Sequence, residues 1–144
     1  MKVRNVTIID LPQIVAIDWE SFTEPWTYST LLKELENENS VFELVDFGFV
    51  VVGYCLLRIT GDDCEIQRMA VDRSQRRIGI ADLLMTSMLN NAKEKGLNTV
   101  FLEVRSSNEA AIALYKKHGF SEINIRENYY AKPVEDAIIM AHKL

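Results

Sequence analysis

The chain has 144 residues, 48% of them apolar, with a net charge of −5 and two cysteines. Such a length and apolar share suit one domain over residues 1–144 with a real core, and exclude a disordered chain. The negative balance argues against direct nucleic-acid binding, no run approaches the ~20 apolar residues of a membrane span, and the first residues lack the apolar stretch of a signal peptide. Neither Cys55 nor Cys64 has the spacing or histidine partner of a metal site, so no metal is expected and a cytoplasmic setting is the simplest reading.

Val3 to Ile9 is rich in β-branched residues and predicts a first strand. Asp10, with Pro12 close behind, is a candidate N-cap for a short helix carried by Leu11, Ile14, Val15, Ile17 and Asp18-Trp19. Pro25 disfavours helix at Glu24, so Phe22 to Thr27 is predicted as a loop. Helix resumes from Ser29 to Glu38, with Leu31, Leu32 and Leu35 inward. Val41 to Asp46 and Phe49 to Arg58 predict a hairpin around Phe47-Gly48, its second run apolar enough for burial on both faces. Gly61-Asp62-Asp63 reads as a turn and Cys64 to Val71 as the next strand.

From Met69 to Leu84 the chain reads as a strand end, a basic turn and the first turn of an amphipathic helix. The helix is marked by Ile80, Ala81, Leu84, Met85, Met88, Leu89 and Ala92. A helix start carries unpaired N–H groups and the positive end of the dipole, which favours phosphate. Gly79 and Ala81 leave room for a ligand to approach the backbone, and Arg73, Arg76 and Arg77 add positive charge. An ordinary loop entering an ordinary helix would share these features.

Lys93-Glu94-Lys95-Gly96 ends that helix, Thr99 to Arg105 is a strand, and Ser106-Ser107-Asn108 opens a helix that runs to His118 and closes at Gly119. Ser121 to Arg126 and Ala137 to His142 are predicted as the last strands, with Asn128-Tyr129-Tyr130 in their connection. The resulting order of strands and helices predicts an α/β (α+β) domain: a mixed sheet with helices on both faces.

Three further positions are candidates for chemistry. Glu103 interrupts an apolar strand and shares a face with Phe101 and Arg105; it is either a general base or a strand-end charge paired with Arg105 or Arg126. Asn108, Ala111, Ile112 and Tyr115 share a helix face. Asn108 could equally be an N-cap, and Tyr115 a core aromatic. The Pro25-Trp26 loop could equally be a packing plug.

Arg76-Arg77-Ile78-Gly79-Ile80-Ala81 fits the Arg/Gln-x-x-Gly-x-Gly/Ala signature of the GCN5-related N-acetyltransferase (GNAT) superfamily. Leu102 through Tyr115, Gly119-Phe120, Arg126, Asn128-Tyr129-Tyr130, Glu135 through Met140, and Pro25-Trp26 extend the resemblance over nearly the whole chain. The later motifs resemble the branch of that superfamily that acetylates the N-terminal alanine of a ribosomal protein.

The resemblance implies the GNAT fold, a mostly antiparallel sheet of about seven strands with about four helices. It implies acetyl-CoA as co-substrate, Glu103 as proton acceptor and Tyr115 as proton donor. Met69, Ala70 and Val71 match the strand end that pairs with the acetyl-pantetheine arm, Arg76 through Asp82 (Arg76, Arg77, Ile78, Gly79, Ile80, Ala81, Asp82) match the pyrophosphate loop, and Asn108 matches a CoA contact. Trp26, Tyr129 and Tyr130 are implied acceptor contacts. The implied partner is a protein N-terminus, that of the eighteenth small-subunit ribosomal protein, with the enzyme a monomer or weak dimer. Alternatives are a broader N-terminal or Lys acetyltransferase and a non-catalytic acetyl-CoA-binding subunit. Glu65-Ile66-Gln67-Arg68 is more polar than the family's usual strand at that place.

Overall fold

The computed structural model describes all residues from 1 to 144. In chain order its elements are β1 (Lys2–Asn5), α1 (Leu11–Ser21), α2 (Tyr28–Glu36), β2 (Ser40–Phe47), β3 (Val50–Thr60), β4 (Asp63–Val71), α3 (Ile80–Glu94), β5 (Thr99–Arg105), α4 (Glu109–Lys117), β6 (Ser121–Ala131) and β7 (Val134–Lys143), with 3₁₀ turns at Ile8–Asp10 and Arg73–Gln75. The strands form one seven-stranded sheet in the order β1-β2-β3-β4-β5-β7-β6.

Strand periodicity divides the core in two. β3 is buried from Val51 to Leu57, as its unbroken apolar run requires. Tyr54 and Leu56 face Leu11, Ile14 and Ile17 of α1 and Leu31 of α2. Val52, Cys55 and Leu57 face Ile80, Leu84, Met85 and Met88 of α3 on the other side, with Tyr115 of α4 and Phe120. Each fully buried Val, Leu, Ile or Met among them contributes about 1.5–3 kcal/mol relative to exposure.

All neighbouring strands are antiparallel except β4 and β5. Those two pair in parallel at only two positions, Cys64 with Val100 and Glu65 with Phe101. Beyond them the strands part, while β4 stays paired to β3 as far as Val71. The split leaves the end of β4 with an unpaired edge facing the space beside β5 and α4.

The two largest departures from the sequence expectation lie at the first strand and in the last hairpin. The first strand ends at Asn5, because the Asp10 carboxylate accepts the Thr7 amide at 2.7 Å and its hydroxyl at 3.0 Å and curls the chain into a 3₁₀ turn. Asp10 precedes α1 but caps it with no side-chain bond; its carboxylate is held by Thr7 and by Arg4, at 2.8 and 2.9 Å. The second difference lies near the end. Asn128-Tyr129-Tyr130 belong to β6 and not to a connection. The register shifts between Arg126 and Tyr130, and Asn128, at φ 52°, donates its amide to Asp136 Oδ1 at 2.9 Å, so the strand absorbs a bulge and continues to Ala131.

Candidate active site

The basic turn is built by backbone conformations that few residues tolerate. Asp72 accepts the Ser74 amide at 3.0 Å and begins the 3₁₀ turn; Arg77 sits at φ 66° and Gly79, at φ 91°, is the N-cap of α3. Positive φ is ordinary for glycine and costly for arginine, a strain often found where a loop binds a ligand. The amides of Arg76 through Asp82 donate to no protein acceptor, and the first helical bond is Leu83 N–H to Gly79 O at 3.0 Å. A row of free N–H groups at the positive end of a fifteen-residue helix fits a phosphate group.

These amides border a cleft of about 530 Å³. One wall is Met69, Ala70 and Val71 at the end of β4, with Arg76, Arg77, Gly79, Ile80, Ala81 and Asp82; the other is Asn108, Ala111 and Tyr115. Ile78 is 52% exposed and does not line it. Arg76 bends back, its Nε donating to Val71 O at 3.1 Å. The Asp82 carboxylate faces α4 and accepts from Lys117 Nζ at 2.9 Å, with His118 Nε2 also at 2.9 Å. Hydrogen bonds from Lys117 and then His118 hold it below the usual carboxylate range. It therefore straps the start of α3 to the end of α4.

A second cavity of about 390 Å³ adjoins the first, and Asn108, Tyr115, Ser21 and Phe22 line both. Its other walls include Trp26, Arg68, Glu103, Arg105 and Tyr130. Glu103 is approached by Arg126 at 3.7 Å, the pairing its strand position allowed for. Hydrogen bonding to Glu103, then its charge, pushes the Tyr129 phenol up, although Tyr129 itself does not line the cavity. Burial, then Glu103, pushes Tyr130 up to about 12. Asn108 has both of its expected characters: its side chain accepts the Ala111 amide at 3.2 Å and it lines both cavities. Tyr115 likewise packs in the core beside Phe120 while bordering both cavities, and burial raises its phenol well above the ordinary value. Cys55 and Cys64 are buried, and burial raises both thiols, to about 11 in Cys64.

Two arrangements escaped the sequence reading, which offered Arg105 only as a partner for Glu103. Arg105 spans the groove: Nη2 donates to Thr23 Oγ1 at 3.3 Å on one side and Lys132 O at 3.1 Å on the other, and Nη1 to Pro133 O at 3.0 Å. Asp18, wholly buried, accepts from the Trp26 amide at 2.7 Å, from Arg68 and from the Tyr54 hydroxyl. A signal for Asp18 was present, since it falls on the inward stripe of α1 with Leu11 and Ile14.

A split sheet, a cleft with free amides at a helix start, and a second cavity joining it at a tyrosine together define a site for transfer between two bound molecules. Residues 11–120 match the acetyltransferase (GNAT) family, and the chain belongs to that family of acetyl-CoA-dependent acyltransferases. The ribosomal protein bS18-alanine N-acetyltransferase of Escherichia coli (strain K12) is 33% identical over 141 residues, covering 96% of this chain and 95% of that protein. An N-alpha-acetyltransferase of Sulfurisphaera tokodaii is 32% identical over 156 residues, covering 99% and 93%. The crystal structure of the ribosomal-protein-S18-alanine N-acetyltransferase from Escherichia coli superposes with a TM-score of 0.91 at 30% identity, covering 99% of this chain and 92% of that one.

Proposed function

We propose that this protein acetylates the α-amine of a protein N-terminus, with the N-terminal alanine of ribosomal protein bS18 as its acceptor. The observation that carries the reading is the junction of the two cavities at Tyr115, with Glu103 in the second and the free amides of residues 76–82 at the first. The relatives named for bS18 alanine supply the acceptor, and the absence of a helix long and apolar enough to cross a membrane is compatible with a cytoplasmic setting.

In this reading acetyl-CoA supplies an activated acetyl thioester. The amides of Arg77 through Asp82 hold its pyrophosphate, Met69 to Val71 hold its pantetheine arm along the unpaired edge of β4, and Asn108 contacts it from α4. Trp26 and Tyr130 border the acceptor, and Tyr129, outside the cavity lining, acts on it only through Glu103. A peptide α-amine has a reference pKa of about 7.7–8.0 against about 10.4 for lysine, so a carboxylate such as Glu103 need remove a proton from only part of the population near neutral pH. The neutral amine attacks the thioester carbonyl directly, and a backbone N–H near Val71 is the candidate donor for the charge that develops on its oxygen. The leaving thiolate takes a proton from Tyr115. An ordinary phenol, with a pKa of about 10, carries that proton near neutral pH. No step here calls for a metal.

A peptide panel tests the acceptor. Peptides beginning Ala-Arg, Met-Leu and Ser-Glu, and one with a blocked start and an internal lysine, are offered with acetyl-CoA and the products read by mass. Acetylation of the Ala-Arg peptide at its α-amine by at least about tenfold in kcat/KM over the others is expected, roughly what one good specificity contact contributes. Equal use of the blocked peptide would replace this reading with a lysine acetyltransferase.

A further inference from the structure

The proposed acceptor groove holds a cation that the mechanism above does not use. Arg68 reaches the groove from β4, its side chain 14% exposed. Its Nε donates to Asp18 Oδ1 at 3.0 Å, and its Nη2 donates to Asp18 Oδ2 at 3.1 Å and to Glu24 O at 3.0 Å. The guanidinium lies 3.7 Å from the Phe22 ring centroid and 4.8 Å from that of Trp26. Asp18 is in turn fixed by the Tyr54 hydroxyl and the Trp26 amide. A bidentate ion pair and two aromatic faces therefore hold this guanidinium in one orientation. Nη1 is left over, with no protein acceptor, on a side chain that lines the groove. On Arg105, the other arginine of the groove, both terminal nitrogens already donate to protein oxygens.

We infer that Arg68 binds the acceptor, Nη1 donating to the carbonyl oxygen of the peptide's first residue. The inference rests on the peptide reading of the groove. Once the α-amine is beside Glu103, the first carbonyl is the nearest polar group of the peptide that must give up water. A buried carbonyl without a donor is costly, and a prefixed charged donor answers it without further ordering. The contact gives the groove a means of telling a peptide start from a simple amine of similar reach, which carries no such carbonyl.

The test pairs a substrate change with a protein change. A peptide beginning Ala-Arg is compared with its analogue in which the first amide is replaced by a trans-alkene of the same shape. The wild-type protein is expected to lose about tenfold in kcat/KM on the analogue, the size of one charge-assisted hydrogen bond. In Arg68→Met the two peptides should fall within about twofold of each other, because the partner of the carbonyl is gone. An undiminished ratio in the variant would make Arg68 only a strut for the Phe22–Trp26 loop and overturn the inference. If Arg68→Met fails to fold, Arg68→Met with Asp18→Asn, which removes the uncompensated buried carboxylate, takes its place. A wild-type ratio below about twofold also overturns the inference whatever the variants do, by the same hydrogen-bond reasoning. Failure of the wild-type protein to acetylate either peptide overturns the peptide reading itself, and this inference with it.

Discussion

Asp10 shows how one carboxylate can set a boundary and a pH dependence together. Its hydrogen bonds with Arg4, followed by those from Thr7, outweigh burial and push its pKa down to about 2. Folding thus lowers this pKa from an ordinary value of about 3.9. The ionised form stabilises the fold at every pH above that ordinary value, and the contribution is lost as pH falls from about 4 toward about 2. Asp10→Asn removes it at the outset. Urea unfolding is expected to give the variant a lower midpoint than the wild type near neutral pH, with the two midpoints converging near pH 2. A difference that stays constant over that range would mean the Asp10 charge does not contribute. The residue pattern alone hid this, because a helix start read from Asp10 and Pro12 gives no hint that the carboxylate turns back to Thr7 and Arg4.

Among the elements, α3 begins at the amides proposed to hold the pyrophosphate, and its position depends on a glycine in a strand it crosses. A Cβ on Gly53 would stand 2.9 Å from Ile80 Cγ2 and 3.2 Å from Ala70 O. Ile80 is the first residue of α3 and Ala70 belongs to the edge assigned to the pantetheine arm. Gly53→Ala must therefore shift the start of α3 or the end of β4, at an overpacking cost of about 1–3 kcal/mol. The expected result is a several-fold higher KM for acetyl-CoA with a smaller change in peptide KM, measured by varying each substrate in turn. Equal KM values for acetyl-CoA in variant and wild type would show that the amide row tolerates the displacement. The helices and the middle strands were legible because their periodicities are long and uninterrupted. The two strands of the last hairpin were legible but not their full length, since the bulge at Asn128 depends on a bond to Asp136 in the neighbouring strand.

Over the whole molecule, an acidic chain sets Arg76 and Arg77 on the cleft wall at one turn, where a polyanionic co-substrate would meet them. The fold class and the cleft-lining positions around Gly79, Asn108 and Tyr115 were readable from local spacing and from the family signature. The Asp18–Arg68 pair and the Arg105 bridge were not, because their partners lie 50 and 82 residues away along the chain and no local pattern encodes such distances. Only the assembled sheet, split where β4 leaves β5, sets a carboxylate from β5 and a phenol from α4 along adjoining cavities. The account therefore stands on Glu103 and Tyr115 acting on opposite ends of one transfer. Steady-state acetylation of an Ala-Arg peptide by Glu103→Gln and Tyr115→Phe is expected to show kcat lowered by about 10²-fold or more in each, as for loss of a general base or acid. Wild-type kcat in both variants across the pH range would contradict it.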